Sequence, residues 1–359
     1  MTNQTQIAFI FVIVVTSFFV GTEVNAQNLK EPIRVGVIGL DTSHSIAFTK
    51  LINDPKAAAP LNRLRVVCAY PHGSADIESS VSRIPKYTQE IKAMGVEVVE
   101  SIDDLIFKVD AVLLETNDGR LHLEQALPVL KARKPVFIDK PVAASLVDVI
   151  AIYQAAKHFD TPVFSSSSLR FAKPAQAARK GELVGKVLGC ETFSPAKQEP
   201  THPDLYWYGI HGVEQLFTVM GDGCDSVART SSDSTDVVVG VWNDGRIGSF
   251  RGTRAGPGGY GGTVFGEKGQ ASTGGNEGYT NLVKQIALYF ESRQPPVTPQ
   301  ETIEIYGFMS AADKSKENQG TPVKIADVIM QAQLDSKNRL LGFGIEISNA
   351  AANLNISTR

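Results

Sequence analysis

The six residues Gly39-Leu40-Asp41-Thr42-Ser43-His44 follow the apolar run IRVGVI and stand where a nucleotide-binding strand would turn into its helix. Such a turn binds phosphate when glycines let the backbone close on a pyrophosphate at the positive helix end. Of the G-x-G-x-x-G spacing the chain keeps the first glycine; Asp41 holds the second position and His44 the third. A carboxylate beside a pyrophosphate adds like charge, a repulsion on the order of a few kcal/mol when desolvated. Asp41 is therefore expected to oppose the phosphate, or to N-cap the helix and occupy the donors a phosphate would use. The next apolar run ends in Ala69-Tyr70-Pro71-His72-Gly73-Ser74, without the acid that commonly holds an adenosine ribose. Tyr70 offers a stacking face there, and Gly73 with Ser74 offers room for a phosphorylated ribose. Asp41, His44, His202, Asp204 and His211 carry carboxylate and imidazole donors that suit a divalent ion, but their spacing follows no zinc pattern and no metal is assigned.

The elements that must position these residues follow from periodicity. From residue 33 to 165, β-branched runs at 34–38, 65–69, 97–99, 111–115, 136–138 and 162–164 alternate with helical patterns at 45–53, 121–132 and 146–158. That alternation is the signature of a parallel sheet with helices on both faces. Ser145 with Asp148, and Ser101 with Asp104, have capping-box spacing and mark two helix starts. After Phe171, the segments DVVVGVW, GRIGSFRG and YGGTVFG read as antiparallel strands, while 279–292 and 301–315 have helical spacing around the breaker QPPVTP. The expected fold is α/β: an N-terminal Rossmann doubly wound parallel sheet over 27–168, then a C-terminal α+β domain over 169–325 with an open, mainly antiparallel sheet. Residues 326–359 are expected to form a C-terminal tail, and the open sheet face offers a surface for a homo-oligomer.

A chain of 359 residues with 43% apolar and 20% charged residues has ordinary globular composition and length enough for two domains. Its net charge of -3 supplies no field to gather nucleic acid or an anionic membrane, which points to a small-molecule partner. The uncharged segment IAFIFVIVVTSFFV, 14 residues long, suits a signal-peptide core better than a bilayer span of about 20 residues. Val24 and Ala26 place small residues for cleavage before Gln27, so residues 1–26 are expected to direct export to the periplasm or beyond and to leave no membrane span after cleavage. The absence of Lys and Arg from MTNQTQ leaves an uncleaved anchor open. Cys68, Cys190 and Cys224 form no disulfide framework; Cys68 reads as a small buried hydrophobe, and pairing of Cys190 with Cys224 stays open.

The segment VDAVLLETNDGRLHLEQALPVLKARKPVFIDKPVAAS resembles the Gfo/Idh/MocA oxidoreductases, the glucose-fructose oxidoreductase and inositol dehydrogenase type. In that family a strand, a Thr-containing loop, a His-bearing helix and a last strand end in Glu-Lys-Pro, matched here by Asp139-Lys140-Pro141. Ser168-Leu169-Arg170-Phe171, Gly181-Glu182-Leu183-Val184-Gly185 and Ala311-Ala312-Asp313-Lys314-Ser315 fall in family order, so the resemblance spans nearly all of 33–320. It implies NAD or NADP as cofactor, held by Gly39, Asp41, Thr42, Ser43, His44, Tyr70, Thr116, Asn117, His122, Asp139, Lys140 and Pro141. It also implies that Lys140 lies by the reacting hydroxyl, where a positive charge lowers the hydroxyl pKa and stabilises alkoxide character as hydride leaves. The family's His with an acid three residues on is matched by His211 and Glu214, which share a helix face, so Glu214 would orient or charge-balance a proton-shuttling His211. Four residues before that His the family often has Asp; this chain has Trp207, and Asp204 is the candidate replacement. Arg170, Tyr206, Trp207 and Tyr208 are expected to bind substrate, the aromatics as a platform for a sugar ring or else as interface core.

The expected function is an NAD(P)-dependent oxidoreductase acting on a hydroxyl of a sugar, glycoside or cyclitol. Export would separate it from the cytoplasmic nicotinamide pool, so a tightly held, recycled cofactor is expected; glycoside cleavage through transient oxidation is one form of such a cycle. The competing reading is an exported carbohydrate-binding protein on a cofactor-less enzyme scaffold, suggested by Asp41, Tyr70 and Trp207.

Overall fold

The computed structural model describes Met1 and residues 31–354. The leader and the expected cleavage point before Gln27 lie outside the described residues. Among the described residues no helix is long and apolar enough to cross a membrane.

The first sheet comprises β1 (Ile33–Ile38), β2 (Leu64–Tyr70), β3 (Glu97–Val98), β4 (Ala111–Leu114), β5 (Val136–Ile138) and β6 (Val163–Phe164), in the spatial order β3-β2-β1-β4-β5-β6. Every pairing in it is parallel. Its central strands are buried on both faces, hence their nearly unbroken apolar runs. Five helices connect them: α1 (Ser43–Ile52), α2 (Glu78–Ala93), α3 (Ile102–Lys108), α4 (His122–Lys131) and α5 (Leu146–His158). The capping reading holds, with Ser101 Oγ accepting from Asp104 N and Ser145 Oγ from Asp148 N, both at 3.0 Å. α2 has no counterpart in the sequence expectations. Pro85 sits inside it, where proline removes a helix hydrogen bond and reads locally as a breaker. Strand order reverses between β1 and β4, and there the loops beyond the carboxyl ends part to leave a crevice.

The remainder of the chain adds α6 (Lys173–Arg179), β7 (Val187–Pro195), α7 (Ile210–Met220), β8 (Cys224–Ser231), β9 (Thr235–Trp242), β10 (Ile247–Thr253), β11 (Gly261–Gly266), β12 (Gly269–Ser272), α8 (Thr280–Ser292), α9 (Pro299–Glu317), β13 (Val323–Lys324), α10 (Ile325–Gly342) and α11 (Asn349–Ala352). The second sheet runs β12-β11-β7-β10-β9-β8-β13, antiparallel except for the β7–β10 pair. Alternate residues of β9 and β10 are buried under α7 and α9, while Leu188, Phe193, Val241, Ile247 and Phe265 stay exposed. The parallel and mainly antiparallel sheets thus match the expected fold class.

The chain does not, however, divide in sequence order. α8 belongs by position to the second part, yet it packs Leu282, Val283, Ile286 and Phe290 against Val35, Val37, Phe48, Phe137 and Phe164 of the first sheet and its helices. Tyr289 Oη anchors it by donating to Pro162 O at 2.6 Å. Residues beyond 325 are no detached tail: α10 lies along α5, with Arg339 Nε on Asp148 Oδ1 at 2.7 Å and Ser336 Oγ donating to Gln154 Oε1 at 2.8 Å. The reason lies in α5, which is apolar nearly all round and needs cover on the side away from the sheet. The described residues from Pro32 onward accordingly form one compact unit. Cys68, Cys190 and Cys224 are all buried free thiols, so the pair left open in the sequence does not form.

Candidate active site

At the carboxyl ends of β1, β4 and β5 lies a cavity of about 290 Å³, lined by Thr42, Ser43 and His44 of the first turn, Asn117 after β4, and Asp139 with Lys140 after β5. Ser79 and Arg83 of α2, Ser168 and Leu169, Trp207, Tyr208 and His211 at the entry to α7, and Tyr260, Asn276 and Tyr279 complete it. Gly39 makes the first turn possible: its φ is +92°, and a Cβ there would lie 2.4 Å from Thr116 N.

Asp41 neither caps α1 nor enters the cavity wall. The cap is Thr42, whose side chain accepts from Ser45 N at 3.4 Å. Asp41 is fully buried, with Oδ2 accepting from Ser80 Oγ at 2.6 Å and Oδ1 from Asn117 N at 2.9 Å. The bare Gly73 makes room for it, since a Cβ there would sit 2.5 Å from Asp41 Oδ2. Burial pushes the Asp41 carboxyl up to about 6, against the hydrogen bonds from Ser80 and Asn117. The expected clash with a pyrophosphate is thereby corrected: a helix unseen in the sequence turns the carboxyl aside. The same helix brings Arg83, which donates to Asp41 O at 3.2 Å and adds a cation to the cavity.

At the other end of the cavity the Lys140 ammonium stands 5.6 Å from the centroid of the Tyr208 ring, within cation–π range. His211 Nδ1 is 2.7 Å from Ser167 Oγ. Burial first, then the charges of Lys140 and His44, hold the His211 imidazole well below its ordinary value, so it is neutral at neutral pH. Glu214 does not pair with His211. Its carboxylate accepts from Ser166 Oγ at 2.6 Å, Ser167 N at 2.7 Å and Arg170 Nε at 2.7 Å, and so reaches His211 through Ser167. Shared helix face made the His–Glu pair plausible, but a buried guanidinium from another element competes for the carboxylate and takes it.

That guanidinium removes Arg170 from the substrate set, since it is buried between Glu214 and Glu301, the latter at 2.6 Å. Asp204 is also misplaced by the sequence reading: it pairs with Arg229 at 2.8 Å and Lys316 at 2.6 Å beside the second sheet and cannot replace the family's acid. Tyr206 is core, its Oη 2.7 Å from Ser310 Oγ and its ring 5.1 Å from that of Tyr306. Trp207 and Tyr208 do line the cavity. The five-residue metal set does not assemble: His44 and His211 line the cavity, whereas Asp41 is sealed off, Asp204 is paired elsewhere, and His202 Nε2 accepts from Gly119 N at 3.1 Å.

Of the remaining expected cofactor contacts, Asn117 is on the cavity wall and Thr116 is buried beneath Gly39. His122 is not cofactor-facing; it is buried with Nε2 2.7 Å from Thr116 O and Nδ1 3.1 Å from Val142 O, bracing two loops. Pro141 packs toward Gly119 rather than into the cavity. Tyr70 stacks on His72 with centroids 5.4 Å apart, forming a platform beyond β2 outside the cavity wall. His44 stacks on Phe48 at 5.2 Å and places Nδ1 2.8 Å from Asp139 Oδ2. Beneath this pair lies Glu115, fully buried and with no hydrogen-bond partner for either carboxylate oxygen. Burial and then Asp139 push Glu115 well above the carboxylate range, while His44 and Lys140 overcome burial and leave Asp139 below it. A charged residue ending the apolar run AVLL was the available signal for Glu115.

Residues 33–166 match the model of an oxidoreductase family with an NAD-binding Rossmann fold, GFO_IDH_MocA. The chain is 24% identical over 263 residues to the myo-inositol 2-dehydrogenase of Thermotoga maritima, covering 66% of this chain and 74% of that one. It is 30% identical over 99 residues to the 2,7-anhydro-N-acetylneuraminate hydratase of Escherichia coli, 26% of each chain. In fold it is similar to scyllo-inositol dehydrogenase from Lactobacillus casei with bound NAD(H) and scyllo-inositol, with a TM-score of 0.65 and 17% identity over 82% of this chain and 100% of that one. With its Rossmann strand order and its Asp139-Lys140-Pro141 turn at the cavity, the domain over residues 33–166 is a Rossmann domain of the Gfo/Idh/MocA oxidoreductase family.

Proposed function

We propose that this protein is an NAD(P)-dependent oxidoreductase that acts on a hydroxyl of a sugar, glycoside or cyclitol. The observation that carries this reading is that Lys140 and His211, far apart in sequence, line one cavity with the first turn of the Rossmann domain. The residues present fit a dinucleotide: Gly39 permits the close turn, Asp41 is turned away from the start of α1, and Ser43, Asn117, Ser79 and Arg83 offer donors and a cation for a diphosphate. When bound, such a cofactor supplies the hydride acceptor. The chain's own part is to ready the hydroxyl: the Lys140 charge favours alkoxide character. With its proton on Nδ1 toward Ser167 Oγ, His211 leaves Nε2 to accept the hydroxyl proton. Glu214 fixes the Ser167 backbone on which that arrangement depends. Trp207 and Tyr208 supply the apolar face that a sugar ring stacks on. The names of the inositol dehydrogenase relatives agree with a cyclic polyol as substrate.

In this reading residues 1–26 carry the enzyme out of the cytoplasm, and the cofactor stays bound through the catalytic cycle. Mass spectrometry of small molecules released from the denatured protein tests the proposal, together with absorbance at the reduced-nicotinamide band on adding cyclitols and sugars. Co-purified or avidly rebound nicotinamide nucleotide, reduced by a polyol, is the expected result. Absence of the nucleotide even after supplementation, with sugar binding retained, would overturn it in favour of a binding protein.

A further inference from the structure

We propose that His44, Glu115 and Asp139 form a binding site for a first-row divalent transition ion at the floor of the cavity, a proposal that stands apart from cofactor turnover. One ligand atom from each of the three residues lies within 4.8 Å of the others. They come from three separate elements, the start of α1, the end of β4 and the turn after β5, so the cluster is made by the fold and held on its rigid part.

The second observation is the state of the carboxylates. Both oxygens of Glu115 and Oδ1 of Asp139 are buried without a hydrogen-bond partner. Buried carboxylates side by side require a compensating charge or proton. Lys140 is the adjacent cation, but its ammonium rests near Tyr208 and bonds to none of these three oxygens. A divalent ion held by one atom of each residue balances the two carboxylates beside the imidazole and gives a partner to an idle oxygen of Glu115.

The donors choose the ion. One imidazole nitrogen with two carboxylates suits zinc, manganese, iron or cobalt, whereas calcium and magnesium prefer all-oxygen shells and no thiolate is present to draw a softer ion. The 2.8 Å between His44 Nδ1 and Asp139 Oδ2 is close to the roughly 3.0 Å edge of an octahedral ion bound at about 2.1 Å, and an opening of about 0.6 Å brings it to the edge of a tetrahedral one. His44 and Asp139 line the cavity while Glu115 lies beneath them, so the open positions of a three-ligand ion face the cavity and take water or a hydroxyl oxygen of whatever binds there. This also gives a use to His44, which occupies the place of a phosphate-loop glycine.

The experiment is calorimetric titration of the chelator-stripped full chain with zinc or manganese alone, without cofactor, with cobalt absorption as a second readout. One ion per chain is expected. Glu115→Gln and His44→Ala should each weaken binding by about 100-fold or more, whereas His158→Ala, at an exposed imidazole, leaves it unchanged. Uptake should raise the melting temperature of the wild type. If Glu115→Gln does not fold, His44→Ala decides, because His44 is partly exposed and its loss buries nothing new. Absence of stoichiometric uptake by the wild type, or full affinity in His44→Ala, would overturn the site and leave a proton shared by Glu115 and Asp139. Nucleotide binding measured by fluorescence on the same stripped protein separates this outcome from failure of the oxidoreductase reading.

Discussion

Asp41 is a buried acid with no cation on its carboxylate, and its replacement by Asn tests the reading of the first turn. Burial carries its carboxyl from an ordinary 3.8 to about 6. Ionising it in the folded chain at neutral pH therefore costs about 3 kcal/mol more than in the unfolded chain. The sign follows from proton uptake. Between 3.8 and about 6 the folded state holds a proton that the unfolded state has released, so stability falls as pH rises through this window and levels off above it. Asp41→Asn keeps an acceptor for the Asn117 N–H and can turn its amide to Ser80 Oγ. In urea unfolding it should match the wild type within about 1 kcal/mol near pH 4.5 and exceed it by about 2 to 3 kcal/mol near pH 8. Asp41→Gly instead strands two buried donors, at about 1 to 3 kcal/mol each, and should be less stable near pH 4.5. Because the carboxylate lies outside the cavity, neither substitution should tighten nucleotide binding by the roughly tenfold that relief of a phosphate clash would bring. A stability profile for Asp41→Asn that runs parallel to the wild type, or lies below it near pH 8, refutes the reasoning.

Lys140→Met should cut turnover by at least about a thousandfold while polyol affinity stays within about tenfold, as a ratio of kcat to KM effects will show. Since burial, Lys140 and His44 keep the His211 pKa well below 6.5, kcat/KM should show no acid limb near that value; a limb at or above it that His211→Ala abolishes would contradict this. Arg83→Ala should weaken nucleotide binding by about tenfold in a fluorescence titration with little change in kcat, as expected for a cation on the phosphate side. Asp204→Asn should lower unfolding stability by about 1 to 2 kcal/mol through the Arg229 cluster and leave KM within about twofold, which steady-state kinetics and denaturant titration will separate.

What depends on neighbours along the chain was legible in the sequence by itself: the six strands of the parallel sheet, whose double burial demands apolar runs; the caps at Ser101 and Ser145; the change to alternating strands after Phe171; and the Asp139-Lys140-Pro141 turn at a strand end. What depends on competition for a partner was not. Asp41 found Ser80, 39 positions on, across a helix that Pro85 hides from local patterning. Arg170 was drawn to Glu301, 131 positions away, and Asp204 to Lys316, 112 positions away, because a buried or half-buried charge takes the nearest opposite charge in space. Tyr206 went to the core while its neighbours Trp207 and Tyr208 reached the cavity, a difference of direction that residue type does not encode. The same holds for α8 and α10, whose apolar faces announce burial but not which sheet or helix they cover. Periodicity and capping are short-range and written in the order of residues; the choice among charged and apolar partners is made by distance in the folded chain, and the cluster of His44, Glu115 and Asp139 exists because β1, β4 and β5 end side by side.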